Sequence, residues 1–165
     1  MITQYRKGAI GALLDEYERA IMDLQNVISE IPTEELIMIA DHHTADENCR
    51  SIQTILSHVV HSGYGDAIYI QNRHGANNQR PDKIFHQNVT NYIQDLNAMF
   101  SYLERVFENV SENEIEQLND SLKIKTPWNQ HYDIEQLTEH AIVHILRHRR
   151  QIEKFKIILH ELKNN

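Results

Sequence analysis

The chain has little of what breaks a helix or crosses a membrane. Its 165 residues hold five Gly, three Pro and one Cys. Scarce Gly and Pro, with no strand-like alternation of any length, predict an all-α chain. The lone Cys49 excludes an internal disulfide and fits a reducing compartment. It lies in the polar stretch ADENCRS with no glycine turn around it, which does not mark a reactive thiol. No apolar run approaches the roughly 18–20 residues of a spanning helix. The amino terminus interrupts its apolar residues with Lys, Asp and Glu, unlike a signal peptide. Cytoplasm is the expected location. A formal net charge of -8 argues against a general affinity for nucleic acid or anionic lipid, an argument that a local basic patch would escape.

What is present is a length suited to one domain over residues 1–165 and a 41% hydrophobic content suited to one core. Four segments step their apolar residues by three and four, the pattern of helices with one buried face. The first runs Ile10, Leu14, Tyr17, Ile21, Leu24, Ile28 and Ile31, and stops at Pro32. A short helix is predicted at Thr33–Ala40. The second segment, Ser51 to Arg73, carries Ile52, Leu56, Val59, Gly63 and Ile70. The third carries Phe85, Val89, Tyr92, Leu96, Met99, Leu103, Val106 and Val110, after which Ser111 and Glu114 have capping-box spacing. Asp133, with Gln136 three residues on, opens the fourth, which continues to Leu162. Sustained stepping of this kind predicts a four-helix bundle.

Eleven histidines are the compositional oddity, and two of them interrupt the fourth seam. That seam reads Ile134, Leu137, Ala141, His144, His148, Gln151, Phe155, Ile158, Leu162. Residues four apart lie on one helix face about 5–6 Å apart at the beta carbon, so two imidazoles can converge on one ion. Burying imidazole without a partner costs on the order of 1–3 kcal/mol, so the pair needs a shared reason. Metal is one; buried carboxylates or water are another. A third ligand must come from another helix. In the second segment His58 lies beside Ile55 and Val59 and near the small residues Ser51, Ser62 and Gly65, whereas His61 points away from the apolar arc. His140 extends the spacing to H-x3-H-x3-H, but three such residues on one straight helix cannot all reach one small ion.

The segments SIQTILSHVVHSG and EHAIVHILRHRRQI together resemble the DinB/YfiT-like superfamily of metalloenzymes. Its hallmark is one histidine in the second helix and an HxxxH pair in the last, followed by a basic residue and Gln-Ile. These positions match His58, His144 and His148, with Arg149, Gln151 and Ile152 behind them. The resemblance implies up-down-down-up topology and a divalent metal, commonly nickel or zinc, on those three histidines. It also implies a small-molecule substrate: some relatives transfer low-molecular-weight thiols to electrophiles. Homodimers are frequent in the family. Where many relatives carry Arg-Gly-Gln, this chain has Arg149-Arg150-Gln151, which either narrows helix packing or points into solvent.

Asp41, His42, His43, Asp46 and Glu47 read as a solvated connector rather than a second metal site. Arg147, Arg149, Arg150, Lys154 and Lys156 read as a solvated basic face near the helix end rather than a site for an anionic substrate, and Trp128 and Tyr132 as packing residues closing the bundle rather than part of a pocket wall. No Glu lies three residues before a His, which removes the di-iron pattern. Three ligands with vacant positions suit catalysis, whereas structural zinc is usually closed by four. The expected function is a metal-dependent thiol transferase. A metal-dependent hydrolase and a non-catalytic metal-binding or interaction protein are the rivals. No residue presents itself as general base.

Overall fold

The computed structural model describes residues 5–164. Four long helices build it: α1 (Gly8–Ile28), then after the short α2 (Thr33–Ile37) come α3 (Ile52–Gln71), α4 (Val89–Phe107) and α5 (Ile134–Asn164). Their starts are written in polar side chains. Ser51 and Thr54 exchange hydrogen bonds as a capping box for α3, the Asn88 side chain accepts from Asn91 N at α4, and Asp133 and Gln136 do the same reciprocally at α5. The start of α1 is capped from a distance: Glu112 accepts from Ala9 N at 3.0 Å. Gly8, at φ +79°, permits that approach, since a Cβ there would stand 2.1 Å from the Glu112 carboxylate.

Neighbouring helices enclose one apolar cluster, with α1 and α3 each packed between α4 and α5. Contact pairs give their directions. Tyr92 and Tyr102 of α4 bond Gln53 and Gln71 of α3, so these two helices run the same way. Arg6 and Gln25 pair with Glu104 and Asn97, so α1 opposes α4. Asp23 and Val27 meet Arg149 and Lys156, so α1 and α5 run together. A parallel α3–α4 pair obliges the chain to travel back along α3. Ser57 and Gln53 hold that returning segment by its Ile84 and His86 carbonyls.

Several boundaries differ from the periodic reading. Phe85 is exposed on the returning segment, because Asn88 starts the helix after it. The predicted short helix ends at Ile37 rather than Ala40. A two-residue antiparallel pair, β1 (Ile124–Lys125) with β2 (His131–Tyr132), stands where only a loop was expected. Ile31 and Val110 are buried, yet both lie beyond their helices. In the second half of α5 the buried positions are Ile152, Phe155 and Leu159, while Ile158 is half-buried and Leu162 exposed. Among the described residues no helix is long and apolar enough to cross a membrane.

Candidate metal centre

Antiparallel α3 and α5 bring His58, His144 and His148 together, with donor atoms all within 4.8 Å of one another. His144 Nε2 lies 3.0 Å from His58 Nε2 and 3.1 Å from His148 Nε2. Nitrogens about 2.0–2.1 Å from a shared ion stand about 2.9 Å apart at a right angle and about 3.3 Å apart at the tetrahedral angle. The two observed separations fall between those limits. The rings meet edge to face, at 71°, 81° and 82°, so they aim nitrogens inward rather than stack.

Protonation follows from the neighbours. Gln151 Oε1 accepts from His148 Nδ1 at 3.0 Å, which leaves Nε2 of that ring a bare lone pair. Burial, reinforced by neighbouring positive charge, pushes His58 down to about 4 and His144 down to about 3, and burial also lowers His148. All three are therefore neutral imidazoles near pH 7. Hydrogen bonding alone does not satisfy them. A proton on His144 Nε2 serves His148 but leaves no lone pair for His58, and without that proton two lone pairs face each other. A cation at the common point satisfies all three, so the donor set fits a divalent ion.

Beside the histidines opens a cavity of about 270 Å³. His58, Ser62, Asp66 and Tyr69 line it from α3, and His140, His144 and Arg147 from α5. Arg80 closes over it from the returning segment, its guanidinium 3.1 Å from where a Cβ on Gly65 would stand. Trp128 completes the wall from the β1–β2 turn, where Asn129 takes φ 63° and Asn129 N donates to Thr126 O. Trp128 is thus a pocket wall, not the closing packing residue expected. Tyr132, by contrast, is half-buried and, like Trp128, stacks with His140, ring centroids 5.6 Å away in each case.

The remaining sequence candidates separate clearly. His61 lines a different, smaller cavity with Tyr64, Asp82 and Lys83. His140 stays outside the converging group and stacks 6.4 Å from His144. In the polar connector Asp41 accepts from His43 N and Thr44 N, and Asp46 caps a short turn. Among the described residues no second group with metal-ligand spacing occurs there. Cys49 is buried 3.6 Å from Asp46, and burial pushes its thiol up, away from the reactive form. Arg150 is exposed, so the departure from Arg-Gly-Gln points into solvent, and Arg149 pairs with Asp23.

Asp66, Tyr69 and Arg80 carry no role in the periodic reading. Asp66 had a signal: His58, Ser62 and Asp66 form a polar row at steps of four along one face of α3. Arg80 and Trp128 had none, because both sit in irregular segments. Compared with known proteins, the chain matches the model named DinB family over residues 3–155. No curated protein matches it.

Proposed function

The chain belongs to the DinB family, and we propose that it is a metal-dependent enzyme acting on a small molecule, with His58, His144 and His148 as the protein ligands of one divalent ion. The carrying observation is the convergence of three neutral Nε2 donors on one point beside a cavity. Three donors leave positions for substrate, which favours catalysis over a closed structural site. Nickel and zinc both suit imidazole.

A bound ion supplies Lewis acidity, able to hold a thiol as its nucleophilic thiolate or to lower the pKa of water to about 7. Thiol transfer to an electrophile is the reading the family favours, and hydrolysis is the alternative. The residues around the ion have distinct tasks. Gln151 orients His148 through Nδ1, and Ser62 Oγ stands 3.5 Å from His58 Nδ1 on the pocket side. Trp128 and Tyr69 shield one wall from water.

Metal analysis of protein prepared without a histidine tag tests the centre. Close to one ion per chain is expected, and stoichiometric metal surviving alanine at all three histidines defeats the proposal. Metal-loaded protein given a cellular thiol and a model electrophile should then consume thiol above background. Absence of that consumption turns the reading to hydrolysis.

A further inference from the structure

We infer that the substrate carries a protonated amine, and that Asp66 receives it on the pocket wall remote from the three histidines. This deepens the metal-enzyme reading above and rests on it for the identity of the pocket as the substrate site.

Asp66 is 7% exposed, and the influences on its carboxyl are burial and the charge of Arg80, with no hydrogen bond among them. A buried carboxylate without donors is costly. The rest of α3 avoids that cost: Gln53, Thr54 and Ser57 each meet a protein partner. Asp66 instead turns its unmatched oxygens to the cavity it lines. Burial pushes it up to about 7, so a donor arriving from a ligand restores the charged form.

The surroundings select the kind of donor. Tyr69 and Trp128 line the same cavity, their ring centroids 6.3 Å apart at 67°. Aromatic faces beside an acid attract a cation. Arg80 and Arg147 pull the other way and would favour an anion, but both are exposed, whereas Asp66 is fixed within α3. Eight residues of helix place Asp66 about 12 Å along the axis from His58. A substrate engaging both ends therefore separates its metal-binding group from its amine by a chain of several bonds.

The test uses the full chain loaded with cobalt(II), whose thiolate charge-transfer absorption reports binding without turnover. The probes are 6-aminohexane-1-thiol, 6-mercaptohexan-1-ol and 6-mercaptohexanoate. The amine should bind about ten- to hundredfold more tightly than the alcohol, the range of a charge-assisted hydrogen bond. Asp66→Asn, with cobalt still loaded, should level the two. Equal binding of amine and alcohol, tighter binding of the carboxylate, or a preference that survives Asp66→Asn each overturns the inference. Failure of the metal reading looks different, because cobalt then does not load and no band appears. In that event calorimetry of hexylamine on the metal-free protein decides: binding lost in Asp66→Asn supports the inference, and no binding overturns it.

Discussion

The seam between α1 and α4 and the seam between α3 and α5 use the same helix geometry for opposite ends. In the first, Leu24, Tyr17, Leu96, Met99 and Phe100 interlock, and even the Tyr17 hydroxyl finds the Met99 sulfur at 3.7 Å. In the second, His58, Ser62, Asp66, His144 and His148 stand where aliphatic side chains would close the gap, and a cavity of about 270 Å³ remains. The first seam is given over to packing and the second to chemistry. A bundle tolerates the open seam because its other contacts, α1–α5 and α3–α4 foremost, supply the burial.

Paired truncations break this comparison most strongly. Leu96→Ala, at a fully buried site, should cost about 2–5 kcal/mol in urea unfolding while the folded fraction keeps its metal. His148→Ala, though only 2% exposed, should do the reverse: metal content falls from stoichiometric toward none against a competing chelator, because two ligands remain. Equal loss of both properties in either variant would erase the division between seams.

Asp66 sharpens it through pH. The folded carboxyl sits at about 7, above an unfolded value of about 3.9. Between those values the folded chain holds a proton that the unfolded chain has released, so stability falls as pH rises through the window. The full contribution is present below about pH 4 and gone above about pH 7. Asp66→Asn removes this slope, so in metal-free protein the variant should gain up to about 4 kcal/mol over wild type at pH 8 and little at pH 4. His58 and His144 act oppositely, with folded values of about 4 and about 3. Their contribution is lost as pH falls below about 6.5, but it cancels in the difference between Asp66→Asn and wild type. A difference that does not vary with pH would show that Asp66 is already ionised in the fold.

Gln151 tests the support of the open seam. Its acceptor bond fixes the tautomer of His148, so Gln151→Leu should weaken metal affinity about 10- to 100-fold without changing stoichiometry at saturating metal. Unchanged affinity would mean that His148 keeps its tautomer without this bond.

How much of this was legible in the sequence depended on periodicity. The three histidines could be found because apolar stepping continues on both sides of them, so polar residues in a seam stand out. Asp66 leaves the same signal, one turn beyond Ser62, but a single polar step near the end of a helix does not by itself distinguish a pocket wall from a solvated face. Trp128 and Arg80 reach the pocket through a tight turn and a returning segment, where spacing carries no information about direction. Phe85 shows the converse: its apolar step suits the third helix, but Asn88, with its capping side chain, begins the helix later. In α5 a three-four pattern followed over 31 residues drifts away from a true 3.6 repeat. Burial accordingly passes to Ile152 and Leu159 while Leu162 turns outward.

The smallest effect lies where the closed seam meets α3. A Cβ on Gly63 would stand 2.5 Å from Met99 Sδ and 2.9 Å from its Cε. Overpacking of this kind costs about 1–3 kcal/mol, but Ala in place of Gly within a helix returns about 1 kcal/mol. Methionine is unbranched and can turn its terminal atoms aside, although the Tyr17 hydroxyl holds the sulfur on the far side. Gly63→Ala should therefore destabilise by about 1 kcal/mol in urea unfolding and leave metal content untouched. Net stabilisation would show that Met99 has room to move and that this seam is less tightly closed than its burial indicates. A loss of metal would mean instead that displacement at α4 passes through α3 to His58, five residues away on the same helix, so that the two seams do not act independently.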